Sequence, residues 1–190
     1  MVIGITGSIA SGKSLVTNYL RKKNYKVIDC DKIAHKVLEK KCVIKNINDA
    51  FPGVLINDKI DRTRLAKIVF NDDSKKTILE NITMPYIIKE IKAQIANEKL
   101  IFLDAPTLLE NNLLYLVDKL IVIKTSKDIQ LNRLILRDNI DVEYATKKIN
   151  SQWPIEKKIE FADYIIDNDK SMEETYKQIE TILRCFKETK

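Results

Sequence analysis

The sequence is poor in the residues that build cross-links and metal centres. It has three cysteines, Cys30, Cys42 and Cys185, widely spaced and odd in number, and a single histidine, His35. With no C-x-x-C pair and no second histidine, neither a disulfide framework nor a structural zinc is supported. Long apolar runs are missing as well. The longest, Leu113 to Val117, has five residues, against the about 20 that a helix needs to cross a bilayer. The opening residues, Met1-Val2-Ile3-Gly4-Ile5, lack the charged start and extended apolar stretch of a secretory signal, so a cytoplasmic location is expected. Glycine is scarce, with four residues in the chain, and no internal repeat or low-complexity tract occurs.

What is present suits one globular domain. The chain has 190 residues, 45% hydrophobic and 32% charged, enough for a substantial core beneath a well-solvated surface. The net charge of +6 favours polyanions of any kind, phosphorylated small molecules included. Basic residues are interleaved with acids, as in Lys157-Lys158-Ile159-Glu160, and the longest basic cluster, Arg21-Lys22-Lys23, falls on an expected helix surface. Small-molecule substrates are therefore expected, with no nucleic-acid or membrane partner.

Val2 to Thr6 reads as a strand, and Leu15, Val16, Tyr19 and Leu20 follow at helical spacing. Lys26 to Ile28 is a second strand ending at Asp29, before a helix with Ile33, Ala34, Val37 and Leu38 on one face. From Cys42 to Lys99 the pattern is mostly helical, interrupted by Pro52-Gly53 and Pro85. Leu100 to Leu103, Leu120 to Ile123 and Tyr164 to Ile166 complete five strands, with a short helix expected over Leu108 to Val117. Ser171-Met172-Glu173-Glu174 is a capping box for a terminal helix. Strands alternating with helices imply an α/β fold, a five-stranded parallel sheet covered on both faces. The charged, weakly patterned stretch 138–160 reads as a helical flap.

Gly7-Ser8-Ile9-Ala10-Ser11-Gly12-Lys13-Ser14 fits G-x-x-x-x-G-K-[ST] between a strand and a helix. A triphosphate needs many donors around it and little side-chain bulk, which a glycine loop and a helix N-terminus supply. Gly7, Ala10, Ser11, Gly12, Lys13, Ser14 and Leu15 are the expected ATP contacts. Lys13 would reach the β- and γ-phosphates, and the Ser14 hydroxyl would bind Mg²⁺. Asp29-Cys30-Asp31 closes the second strand, which sets both carboxylates at the sheet edge where ligands bind. Phosphoryl transfer to a hydroxyl needs an acceptor for the proton, and Asp31 is the candidate base. The competing role for either aspartate is a helix N-cap. Asp104 ends the third long strand and is a candidate for the Mg²⁺ shell. Trp153 in the flap suits either adenine stacking or anchoring to the core.

Together these residues resemble the dephospho-CoA kinase family. Its D-A-D and P-L-L-x-E patterns are matched by Asp29-Cys30-Asp31 and by Pro106-Thr107-Leu108-Leu109-Glu110. Its R-x-x-L…V-F and A-D-x-x-I-D-N stretches are matched from Arg62 and Ala162, and its L-x-x-R-x-x-x-R-D resembles Leu131 to Asp138, where R-x-x-x-R-D is matched from Arg133 and the leucine stands one residue nearer. The chain departs at Met84-Pro85, where the family shows H-P, at Pro106-Thr107-Leu108, where it shows P-L-L, and at Phe51-Pro52-Gly53, where it shows F-G. The resemblance implies a phosphotransferase with an alcohol acceptor, phosphorylating the ribose 3′-hydroxyl of dephospho-coenzyme A in the last step of coenzyme A synthesis. ATP and dephospho-CoA would be its substrates and Mg²⁺ its cofactor. It implies a phosphate-loop core, a helical acceptor-binding subdomain over 42–99 and a lid over 138–160. Lys13, Asp31 and Arg137 would be catalytic, the last facing the phosphates from the lid. Asp29, Asp31, Arg62, Leu108 and Glu110 would lie on the acceptor side. Two rivals fit less well. A shikimate kinase would carry a glycine cluster where Ala105-Pro106-Thr107 stands, and a GTP-binding switch would carry N-K-x-D, which is absent.

Overall fold

The computed structural model describes residues 1–70, 72–96 and 98–188. Two compact units result: one holds Met1–Ile28 and the chain from Glu98 onward, the other begins at Asp29 and ends before Glu98. In chain order the strands are β1 (Val2–Gly7), β2 (Lys26–Asp29), β3 (Leu55–Ile56), β4 (Lys59–Ile60), β5 (Ile101–Asp104), β6 (Lys119–Lys124) and β7 (Tyr164–Asp167). The helices are α1 (Lys13–Lys22), α2 (Cys30–Val37), α3 (Lys41–Ala50), α4 (Arg62–Val69), α5 (Asp73–Ile95), α6 (Lys127–Asp138), α7 (Val142–Asn150), α8 (Ile155–Ile159) and α9 (Met172–Glu188).

In the first unit the five long strands form a parallel sheet ordered β2-β5-β1-β6-β7. Val2 pairs with Ile101 and Ile3 with Lys119, so β1 lies at the centre, buried along its length after Val2. The strands read as nearly continuous apolar runs because helices cover the sheet. On one face α1 and α9 pack together, with Val16, Leu20, Ile179, Ile182, Leu183 and Phe186 buried against Ile3, Ile5 and Phe102. Tyr19 of α1 stacks on Tyr176 of α9, ring centroids 4.2 Å apart. The expected capping box forms: the Glu174 N–H donates to Ser171 Oγ, and the Ser171 N–H to the Glu174 carboxylate. The chain leaves this unit after Ile28 and re-enters at Glu98, and Lys26 Nζ meets Glu98 Oε1 at 2.7 Å beside those two points.

The second unit is three helices packed on a fourth: α2, α3 and α4 all contact α5. It begins at Asp29 rather than at 42, since α2 belongs to it with Ile33 and Val37 buried. Two features differ from the sequence expectation. α5 runs unbroken through Pro85. Proline leaves the Asn81 carbonyl without its helical donor, and the helices packed along α5 keep the segment helical nonetheless. The turn after Phe51 is followed by a hairpin, β3–β4, joined by Asn57 and Asp58 at φ of 49° and 58°. A two-residue hairpin loop needs positive φ at both centres, which Asn and Asp tolerate.

A third difference lies in the first unit. Leu108 to Val117 is not one helix but a run of turns with a single 3₁₀ turn at Leu114–Leu116. Asn112 takes a left-handed φ of 54°, which ends any helix begun before it.

Candidate active site

The phosphate loop leaves the carboxyl end of central β1 and enters α1. Gly12 precedes the helix at φ 86°, and no side chain caps the first turn. In contrast, Asp29, Asp61, Asp72 and Asp141 cap α2, α4, α5 and α7. The positive end of α1 is thus left for an anion. The Ser11 hydroxyl is buried in the loop and has no protein partner, which a ligand oxygen would supply. Three donors here are already engaged: the Ile9 N–H with Gln152 Oε1 at 2.7 Å, the Ser11 N–H with the Ser8 carbonyl at 3.1 Å and the Leu15 N–H with that of Gly12 at 2.9 Å. Gly7 is held by space, because a Cβ there would come within 2.6 Å of the Ile123 carbonyl.

Gly12 is fixed by a neighbour that sequence reasoning gave no task. Asn168, following β7, donates from Nδ2 to the Ser11 carbonyl at 2.8 Å. Its Oδ1 accepts from Thr175 Oγ1, its main-chain N–H reaches the Lys124 carbonyl, and its own carbonyl accepts from Arg133. A Cβ on Gly12 would overlap Asn168 Nδ2. Gly12→Ala is expected to destabilise the protein by about 1–2 kcal/mol from the left-handed backbone alone, and further by displacing Asn168. A urea unfolding midpoint equal to wild type would contradict this.

Lys13 Nζ pairs with Asp104 Oδ1, and both side chains are largely buried. The second sheet residue expected at the site thereby sits against the loop lysine. The Ser14 hydroxyl is exposed in the first turn of α1. Hydroxyl and carboxylate oxygens are the hard donors that suit Mg²⁺, so Ser14 and Asp104 fit the expected metal in chemistry.

In the second unit the cap of α2 is Asp29, whose Oδ1 accepts from the Lys32 N–H at 3.0 Å. Asp31 is exposed in the first turn of the same helix. Arg62 opens α4, exposed beside the Asp61 cap, and helps line a cavity of about 790 Å³ in this unit.

Leu108 is not a surface contact: it is fully buried, and its Cδ1 closes over Gly4 of β1. Glu110 is held by the core. Its Oε1 accepts from Lys158 Nζ at 2.8 Å and from the Trp153 N–H at 3.1 Å. Lys158 is completely buried and also reaches the Pro106 carbonyl at 3.0 Å. Breaking a buried pair leaves an uncompensated charge, so Glu110→Ala is expected to cost about 3–5 kcal/mol in a denaturant titration. Replacing Lys158 by Met in the same chain should recover most of the loss.

These contacts tie 152–158 to the first unit, and Trp153 lies against Phe161 at 6.2 Å under the Lys157 ammonium. The main-chain tie of Trp153 to Glu110 accords with the anchoring reading. Arg137 ends α6 and binds Asp138, Nε to Oδ1 at 2.8 Å. Asp138 also takes Lys148 of α7, and Arg137 with Lys148 holds its carboxyl well below the usual carboxylate range.

An uncapped glycine loop on the central strand of a parallel sheet, with a lysine against a strand-end carboxylate, defines a phosphate-loop kinase. Residues 1–174 match the family model for CoaE, dephospho-CoA kinase. A dephospho-CoA kinase of Fusobacterium nucleatum is 41% identical over 185 residues, covering 95% of each chain. The solved dephospho-CoA kinase from Campylobacter jejuni is similar at 34% identity and a TM-score of 0.71, covering 96% of this chain and 95% of its own. TT1252 from Thermus thermophilus gives a TM-score of 0.87 at 27% identity, over 97% of this chain and 96% of its own. The chain belongs to the dephospho-CoA kinase family, and the rival shikimate kinase reading is set aside.

Proposed function

We propose that the protein transfers the γ-phosphoryl group of ATP to the ribose 3′-hydroxyl of dephospho-CoA, yielding coenzyme A. The observation that carries this reading is the phosphate cradle: an uncapped α1, an unpartnered buried Ser11 hydroxyl and Lys13, in a chain of this family. The cavity of the second unit supports the acceptor half. Lys41, Lys59 and Arg62 line it with apolar Ile44 and Ile60, an excess of cations over the two carboxylates there, Glu39 and Asp58. Cations suit a diphosphate, and apolar walls suit the aliphatic arm attached to it.

Lys13 stabilises charge on the transferring group, and Arg137 adds a cation from the end of α6. Asp31 takes the proton from the 3′-hydroxyl as the new O–P bond forms, while the bond from the γ-phosphorus to the β–γ bridging oxygen breaks and ADP leaves. Asp29 sets the start of α2, and with it the placement of Asp31. Ser14 and Asp104 are the residues that would hold Mg²⁺, which would neutralise phosphate charge when bound with ATP. The lid spans 138–160, and within it Trp153 bonds to Glu110 and Lys158 to the Pro106 carbonyl. The chemistry belongs to the cytoplasm, and among the described residues no helix is long and apolar enough to cross a membrane.

The test is direct. The protein is incubated with Mg-ATP and dephospho-CoA, with shikimate and AMP as competing acceptors, and the product is identified by mass and phosphorus NMR. A 3′-phosphorylated product from dephospho-CoA is expected. Phosphorylated shikimate or AMP in its place would overturn the reading.

A further inference from the structure

One residue of the phosphate loop is gripped from both sides. The Ile9 N–H donates to Gln152 Oε1 at 2.7 Å, and the Ile9 carbonyl accepts from Gln130 Nε2 at 2.8 Å. These two groups belong to the two successive peptide planes that flank Ile9, so the carboxamides fix both planes. The next residue, Ala10, has a φ of 59°, a left-handed conformation that an L-residue with a Cβ adopts only under constraint. The Ile9–Ala10 plane that Gln130 holds is one of the two that define this angle.

The grips come from different places. Gln130 is buried on α6, with 3% of its surface exposed. Gln152 lies between α7 and α8, immediately before Trp153, whose N–H is fastened to Glu110. A phosphate loop binds only when its N–H groups converge on one point, so the orientation of each peptide plane matters to affinity. We propose that Gln130 and Gln152 are positioning residues that hold Ile9 between them, keep Ala10 left-handed, and so maintain the loop in its nucleotide-binding shape. The inference rests on the loop being the nucleotide site.

Gln152→Met and Gln130→Met keep side-chain length and remove the carboxamide. Each is titrated with Mg-ATP in the absence of acceptor and melted thermally, with Lys13→Ala as the control. Each methionine variant is expected to bind ATP about 3- to 10-fold more weakly, the contribution of one neutral hydrogen bond. The double variant should fall short of the product of the two, because both act on one residue. Ala10→Gly, which relieves the left-handed cost, should restore part of the affinity in the Gln130→Met protein, a rescue that a purely structural role does not predict. Wild-type ATP affinity in both single variants, a lowered melting temperature with unchanged affinity, or loss of folding would each overturn the proposal. If Lys13→Ala itself binds Mg-ATP like wild type, the nucleotide-site reading fails and takes this inference with it.

Discussion

Asp31→Asn is expected to lower turnover about 10²- to 10⁴-fold, the range for losing a positioned general base. The asparagine keeps the shape and one accepting oxygen while removing the charge and the proton acceptor. Two aspartates stand at this strand end. The cap of α2 is made by Asp29, through the Lys32 N–H, so Asp31→Asn leaves that cap in place. Asp29→Ala should show the reverse balance, a loss of about 1 kcal/mol from the missing cap with a smaller effect on turnover. ATP affinity without acceptor should be unaltered in the Asp31 variant. Turnover within a few-fold of wild type would place the base elsewhere.

Lys13→Ala is expected to reduce turnover by about 10²- to 10³-fold, as when one fixed stabiliser of transition-state charge is removed, and to weaken nucleotide binding as well. The second effect has two sources. The variant loses a cation, and it also bares the Asp104 carboxylate that Lys13 neutralises in the free protein, leaving a negative group facing a polyanion. Lys13→Ala combined with Asp104→Asn should therefore recover some ATP affinity without recovering turnover. The two quantities are separated by equilibrium titration and single-turnover rates, and parallel recovery of both would refute the assignment of Lys13 to the transferring group.

The parts of the fold that were legible are those governed by local rules. The five sheet strands are apolar runs bounded by turns, and the phosphate loop is a fixed spacing whose context is a strand and a helix. The Ser171 to Glu174 box closes through neighbours three residues apart. Leu108 and Glu110 were drawn towards the acceptor by the motif that contains them, yet one is core and the other is partner to a buried lysine 48 positions away. No local pattern announces such a partner. The same holds for Asn168, Gln130 and Gln152, which reach the loop across 157, 121 and 143 residues. Unbroken α5 was missed because Pro85 is a local veto that packing overrode. The hairpin did leave a trace in Asn57-Asp58, but strands of two residues are too short to show alternation.

The Lys26–Glu98 clasp marks where the chain departs from the nucleotide-binding unit and where it comes back. Since the chain leaves by β2 and returns into its neighbour β5, everything between them is a cassette: its contents can be lengthened, shortened or exchanged without rethreading a single strand. The five-stranded sheet is thereby physically independent of what the cassette holds: its strand order is set by residues that lie before and after it.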